Sequence, residues 1–318
     1  MKSLTVLVAH IYSPQHLACL RERFPDVTFV PIPKDGTIPA GAEDAQVLLF
    51  GGMRQPDASR ALNGAPQVRW IHLSSAGFDW AIVPAVHERA IQLTRSAESK
   101  KQAVAEFVIG YLFMMEKRFP VLRQNQAAHV WSRPAPELLL GKTLGIVGAG
   151  AIGGEVARLA TALGMRVIGT KRTPEPLPFF ERVLGPDQTD ELFTVSDYLA
   201  LACPLTPETH GLVGSAHLRR MKKTAYLINV ARGEVVVTLD LLIALQEKWI
   251  AGACLDVFEQ EPLPPDSPLW EAPNTIITPH CAFASPRNLD GALEEFMANL
   301  DRFIRGSPLQ HTPKHLEL

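Results

Sequence analysis

Short apolar runs recur along the chain, separated by longer stretches with helical spacing. Up to residue 100, "LTVLVAH" (4–10), "VTFVPI" (27–32), "AQVLLFGG" (45–52) and "VRWIHLSS" (68–75) are nearly continuous in apolar residues. That is the pattern of strands buried on both faces of a parallel sheet. "PQHLACLRERF" (14–24) and the region after Pro56 supply helices between them. An apolar and amphipathic stretch, "KQAVAEFVIGYLFMMEKRFPVLRQNQAAHVW" (101–131), predicts a long helix interrupted near Pro120. A second series follows: "TLGIVGAG" (143–150), "RVIGT" (166–170), "SDYLALACP" (196–204), "AYLINV" (225–230), "GACLDVF" (252–258) and "TIITP" (275–279). The proline-rich stretch 173–187 reads as a surface connection, and a last helix over 285–306 ends at Gly306. Strands alternating with helices throughout predict two doubly wound α/β domains with parallel sheets and right-handed crossovers.

Composition narrows the class. With 318 residues there is room for two domains, and 47% hydrophobic with 20% charged residues is a soluble globular mix. The formal charge of −2 carries no basic excess, so no nucleic-acid partner is expected. The apolar run near the N-terminus is too short to span a bilayer and lacks a basic n-region and a small-residue cleavage site. A strand is the better reading, with no membrane partner. Cys19, Cys203, Cys254 and Cys281 lie far apart with no CxxC pair. They read as reduced thiols of a cytoplasmic protein, with no metal site.

The clearest chemistry lies in "GIVGAGAIGGEVARLATALGMRVIGTKRTP" (145–174). Gly148, Gly150 and Gly153 form a G-x-G-x-x-G pattern between a strand and a helix beginning near Ile152, with Ala151 and Ile152 expected among the cofactor contacts. In such a dinucleotide fingerprint the first glycine permits a tight turn and the second admits the pyrophosphate. The third allows close helix–strand packing. The helix N-terminus faces the phosphate charge. Where the second strand ends, an NAD site wants a carboxylate for the ribose hydroxyls. Here the residues are Lys171, Arg172 and Thr173. A guanidinium suits a 2′-phosphate, so the preferred cofactor is NADP(H). NAD(H) beside a solvated basic turn is the alternative.

Three more segments place polar residues at strand ends: "INVARGEVV" (228–236), "CLDVFEQEPLP" (254–264) and "ITPHCAF" (277–283). With the fingerprint and "SSAGFD" (74–79), the chain from about residue 45 to 306 resembles the D-isomer-specific 2-hydroxyacid dehydrogenases, most of all the glyoxylate/hydroxypyruvate reductases. The resemblance implies a flavodoxin-like substrate domain over 1–100 plus 284–318 and a Rossmann cofactor domain over 101–283, with the active site in the cleft between them. It implies that Arg232 holds the carboxylate and carbonyl oxygen of a small 2-oxo or 2-hydroxy acid. His280 would exchange the proton and Glu261 would hydrogen-bond and orient it. Asp256 would bind the nicotinamide amide. Thr173, Cys203, Pro204, Val230 and Ala231 would complete the cofactor contacts. Ala76 and Gly77 would offer backbone N–H groups to the substrate carboxylate, and Met53 would line the same pocket with Arg54 nearby.

Several positions depart from the family pattern. "RSAESKKQ" (95–102) replaces a common Asn-Pro-Gly-like loop, which puts Lys100 and Lys101 near the cleft mouth. Phe283 stands three residues after His280 and would narrow the pocket. His210, His217, His311 and His315 read as surface residues, Trp80 and Trp131 as packing residues. The resemblance stops near Gly306, so the appended regulatory domain of longer phosphoglycerate dehydrogenases is not expected. The helix around 101–120 is too apolar for a free surface, which predicts a homodimer. Two rival functions fit the same scaffold. One is oxidation of another small anion, formate or phosphite. Against formate, Glu261 stands where the formate enzymes carry Gln. The other rival is a cofactor-sensing binding protein resembling the related transcriptional corepressors. It would need peptide-docking surfaces or disordered tails, and neither is evident.

Overall fold

The apolar runs assemble into two separate parallel sheets. A computed structural model describes residues 4–81 and 83–313. The side chain of Trp80 and the whole of His315 lie outside the described residues. The chain divides into two compact units, Met1–Lys100 with Ser285–Leu318, and Lys101–Ala284.

In the first unit, β1 (Leu4–Ala9), β2 (Val27–Ile32), β3 (Val47–Phe50), β4 (Trp70–Leu73) and β5 (Gln92–Arg95) lie in the order β2-β1-β3-β4-β5. Every pairing is parallel. That is the flavodoxin order, with its switch point between β1 and β3. β3 and β4 are buried along their whole length because helices cover both faces. The helix Asn288–Ile304 returns to this unit and lays Leu293, Phe296 and Leu300 against Val6, Val8 and Trp70. The Phe296 ring stacks on Trp70 at 5.3 Å. β5 escapes the sequence pattern because "QLTR" buries only Leu93 and Thr94 and has no apolar run.

The second unit holds β6 (Thr143–Val147), β7 (Arg166–Thr170), β8 (Arg182–Leu184), β9 (Tyr198–Leu201), β10 (Tyr226–Asn229), β11 (Gly252–Leu255) and β12 (Thr275–Ile277). Their order is β12-β11-β10-β9-β6-β7-β8, with parallel pairing throughout. Two halves run outward from β6 and β9, the doubly wound dinucleotide-binding arrangement, with β12 as an added edge strand. β8 corrects the reading of 173–187 as mere connection: it is an edge strand of three residues, too short to show a period.

The long helix predicted over 101–131 is two helices, Glu98–Glu116 and Phe119–Ala127. The break falls at Arg118, which adopts φ 57°, and Pro120 opens the second helix instead of kinking one. Residues 128–131 are not helical. The first helix already buries Val108, Tyr111 and Leu112 in the core of the second unit, so part of its apolar character is spent within the chain. Outside that core, Phe119, Leu122, Val130, Trp131, Leu138 and Leu140 are exposed. Trp131 is 90% exposed, which corrects its reading as a packing residue. Among the described residues no helix is long and apolar enough to cross a membrane, and no group of side chains could hold a metal ion.

Candidate active site

The glycine fingerprint lies where β6 turns into the helix Ala151–Ala162. Gly148 adopts φ 103°, and a Cβ there would sit 2.7 Å from the Cys203 nitrogen. A Cβ on Gly153 would sit 2.2 Å from the Gly148 carbonyl oxygen, so the helix packs directly on the turn. Above Gly150 nothing lies within 4 Å. Crowding at the first and third glycines with open space at the second is what a backbone approached by a pyrophosphate requires. No side chain caps this helix, so its first N–H groups are available to an anion. Ala151 and Ile152 are its first two residues. The fingerprint therefore fits a dinucleotide.

Around it, Thr170 closes β7 and accepts from the Gly148 and Ala149 amides. Lys171 pairs with Glu175, and Arg172 lies 3.6 Å from Glu208 across a half-exposed surface. Thr173 is exposed. The sequence pattern does not disclose Glu208, because the fold alone brings the loop after β9 next to the end of β7. Cys203 and Pro204 follow β9, with Cys203 buried and its thiol pushed up to about 12 by desolvation. Val230 and Ala231 follow β10, and Ala231 is buried.

Three loops of the second unit bring Arg232, Asp256, Glu261 and His280 together. Asn229 ends β10, fully buried. Its side chain accepts from the Ala231 amide at 3.0 Å and donates to the Arg232 carbonyl at 2.9 Å. This closes the loop that presents Arg232, whose Nη1 donates to the Ala231 carbonyl at 2.8 Å. Gly233 then passes so near the next loop that a Cβ would lie 2.0 Å from the Phe258 carbonyl carbon. Asn229 and Gly233 are supports that the motif reading overlooked. A polar residue closing an apolar strand is the signal that marks Asn229.

The Glu261 carboxylate accepts from the Phe258 amide at 3.0 Å and from His280 Nδ1 at 2.7 Å. Burial alone would push this carboxyl up. The hydrogen bonds from His280 and Phe258 and the charge of Arg232 outweigh that and hold it below its ordinary value. An ionised carboxylate only accepts, so Nδ1 carries the proton of this bond and Nε2 is left for exchange with a ligand. His280 itself has φ 50°, a left-handed conformation unusual for any residue with a Cβ. Phe283 stands edge-on to the imidazole of His280 at 5.8 Å.

Asp256 is 2% exposed, and its carboxylate accepts from the Cys281 and Ala282 amides, each at 2.9 Å. Its main-chain carbonyl accepts from the His280 amide at 2.8 Å. In this structure Asp256 holds the turn that carries His280.

In the first unit, Met53 follows β3 and its side chain belongs to that unit's core together with Phe78. Arg54 projects into solvent and its amide donates to Asp57. Ala76 and Gly77 follow β4, where Arg95 binds the Ala76 carbonyl and Ser75 the Gly77 carbonyl. Lys100, expected near a cleft mouth, is a buried cation. It is 3% exposed, and its ammonium donates to the main-chain and side-chain oxygens of Asn288. Lys101 is half-buried. His210 and His311 are exposed, whereas His217 is half-buried, packed on Phe193 and bonded to Asp190.

Comparison with known proteins supplies the family. Residues 109–282 match the family model described as "D-isomer specific 2-hydroxyacid dehydrogenase, NAD binding domain". The glyoxylate reductase of Korarchaeum cryptofilum is 37% identical over 83% of this chain and 80% of its own. The hydroxypyruvate reductase of Blautia hydrogenotrophica is 32% identical over 80% and 82%. A D-isomer-specific 2-hydroxyacid dehydrogenase from Xanthobacter autotrophicus, solved in complex with NADPH and MES, superposes with a TM-score of 0.88. It is 26% identical and the match covers 99% of this chain and 98% of that one.

Proposed function

The chain belongs to the D-isomer-specific 2-hydroxyacid dehydrogenases, and from that premise we propose that it is an NADP(H)-preferring reductase of small 2-oxo acids of the glyoxylate and hydroxypyruvate type. The observation that carries this reading is the Glu261–His280 pair beside Arg232, at the strand ends of a unit whose fingerprint is open above Gly150. When bound, the nicotinamide cofactor supplies the hydride. The chain's own groups do the rest. Arg232 offers a planar fork to the carboxylate and carbonyl oxygen of the acid. His280 gives a proton from Nε2 to that oxygen during reduction and removes the hydroxyl proton in the reverse direction. Glu261 keeps the imidazole in the tautomer that leaves Nε2 facing this task.

Two features support NADP(H): the absence of a carboxylate at position 171 and the guanidinium of Arg172 beside it. A 2′-phosphate would take over the exposed Arg172–Glu208 pair, and a surface pair of this kind is cheap to open. The relative bound to NADPH points the same way. The exposed apolar residues between Phe119 and Leu140 support a homodimer built on that segment.

Following NADPH loss with glyoxylate and hydroxypyruvate tests the proposal directly. Turnover with either acid, abolished by His280→Ala, is expected. Tight NADPH binding with no turnover on any 2-oxo acid would favour the cofactor-sensing alternative.

A further inference from the structure

We propose that Tyr111 is a positioning residue for His280, acting through Thr278 and Asp256; the inference rests on the proton-exchanging role proposed above for His280. Tyr111 lies on the helix Glu98–Glu116, 2% exposed, with its ring held edge-on by Phe107 at 5.2 Å. Its hydroxyl is 2.5 Å from Thr278 Oγ1. Thr278 has one hydroxyl proton and gives it to Asp256 Oδ1 at 2.6 Å. The tyrosine must therefore be the donor in the first bond. Burial pushes its hydroxyl well above the usual phenol range, so it keeps that proton at any working pH.

The chain of bonds matters because of the conformation it holds. His280 sits at φ 50°, and such a residue persists only where its surroundings over-determine it. Here the surroundings are the Asp256 carbonyl, which takes the His280 amide, and the Asp256 carboxylate, which takes the two following amides and the Thr278 hydroxyl. Thr278 is thus clamped on both sides, by Asp256 and by a helix remote in sequence. Without the tyrosine hydroxyl, Thr278 Oγ1 loses the donor that fixes it and is free to rotate away from Asp256 Oδ1. The turn then keeps its amide bonds to Asp256 but loses the tie that fixes that carboxylate to the helix, and the imidazole loses its fixed position. No such role follows from the sequence, since Tyr111 occupies an apolar helix face like its neighbours.

Tyr111→Phe in the full chain tests this, with hydrogen exchange of the ligand-free protein measured alongside kinetics. Amides 280–282 should exchange at least about fivefold faster, because their acceptor is loosened. Turnover with glyoxylate should fall roughly tenfold, in keeping with the steep cost of sub-ångström misplacement, while KM and NADPH affinity stay within about twofold. Thr278→Val should behave alike, and the double variant should be no slower than Thr278→Val alone. Exchange at 280–282 and kcat both unchanged would overturn the inference. So would a fall in kcat accompanied by equal losses in NADPH affinity and melting temperature, which marks general destabilisation. If the wild-type protein turns over no 2-oxo acid, the parent reading fails, and the exchange rates alone decide whether Tyr111 holds this turn.

Discussion

Replacing Arg172 by Ala tests the proposed preference for NADP(H). Its guanidinium is 47% exposed and lies 3.6 Å from Glu208, so binding a 2′-phosphate exchanges one partner for a better one. A hydrogen bond to a charged group contributes about 1.5–3 kcal/mol. Giving up an exposed ion pair takes back up to about 1 kcal/mol. With the full 1 kcal/mol taken back, the net is about 0.5–2 kcal/mol, or roughly 2- to 30-fold in kcat/KM at tenfold per 1.4 kcal/mol. Initial rates with saturating glyoxylate and varied NADPH or NADH give the ratio directly. Arg172→Ala should lower kcat/KM for NADPH by that factor and leave NADH within about twofold. Glu208→Gln should act in the opposite sense, raising kcat/KM for NADPH by up to about fivefold, because the guanidinium no longer has to leave a carboxylate. The reasoning is refuted if wild-type protein uses NADH as well as NADPH, or if Arg172→Ala leaves their ratio unchanged. Lys171 and Arg172 would then be a solvated turn beside an NAD site.

His280→Ala should lower kcat by roughly 10²–10⁴ with NADPH binding nearly intact, and retention of more than about a third of turnover would refute its role. At acid pH the first unit should fail through His72, which is fully buried between Thr94 and Ser96. Burial, reinforced by the nearby charges of His311 and Lys100, lowers its pKa from 6.5 to about 3. Between those values the unfolded chain takes a proton that the native imidazole refuses. Stability should therefore drop as pH falls below about 6.5, at a rate approaching 1.4 kcal/mol per pH unit. Urea unfolding of His72→Gln should show a shallower slope from pH 6.5 to 4, and an equal slope would exclude His72 as the cause. Sedimentation at micromolar concentration should find a dimer, and Phe119→Glu/Leu122→Glu should sediment as a monomer. A wild-type monomer would detach the exposed apolar segment from assembly.

What the sequence determined by itself is whatever depends on local chemistry. Buried parallel strands must be continuously apolar, so β1, β3, β6 and β10 could be read directly, and with them the two doubly wound sheets. A glycine fingerprint needs its glycines at fixed offsets on one strand–helix turn, so Gly148, Gly150 and Gly153 announce a dinucleotide before any contact is known. Strands too short or too polar to show a period, β5 and β8, were invisible for the converse reason. Tertiary structure alone decided the partners. Lys100 reads as a surface cation until the helix Asn288–Ile304 buries it against Asn288. Glu208 acquires meaning only when two strand ends bring it to Arg172. Asp256, Thr278 and Tyr111 come from three elements and meet at one turn, where they hold His280 in a conformation its own sequence disfavours. Periodicity reports which face of an element is dry, but a hydrogen bond between distant segments depends on where the whole chain has carried its two ends.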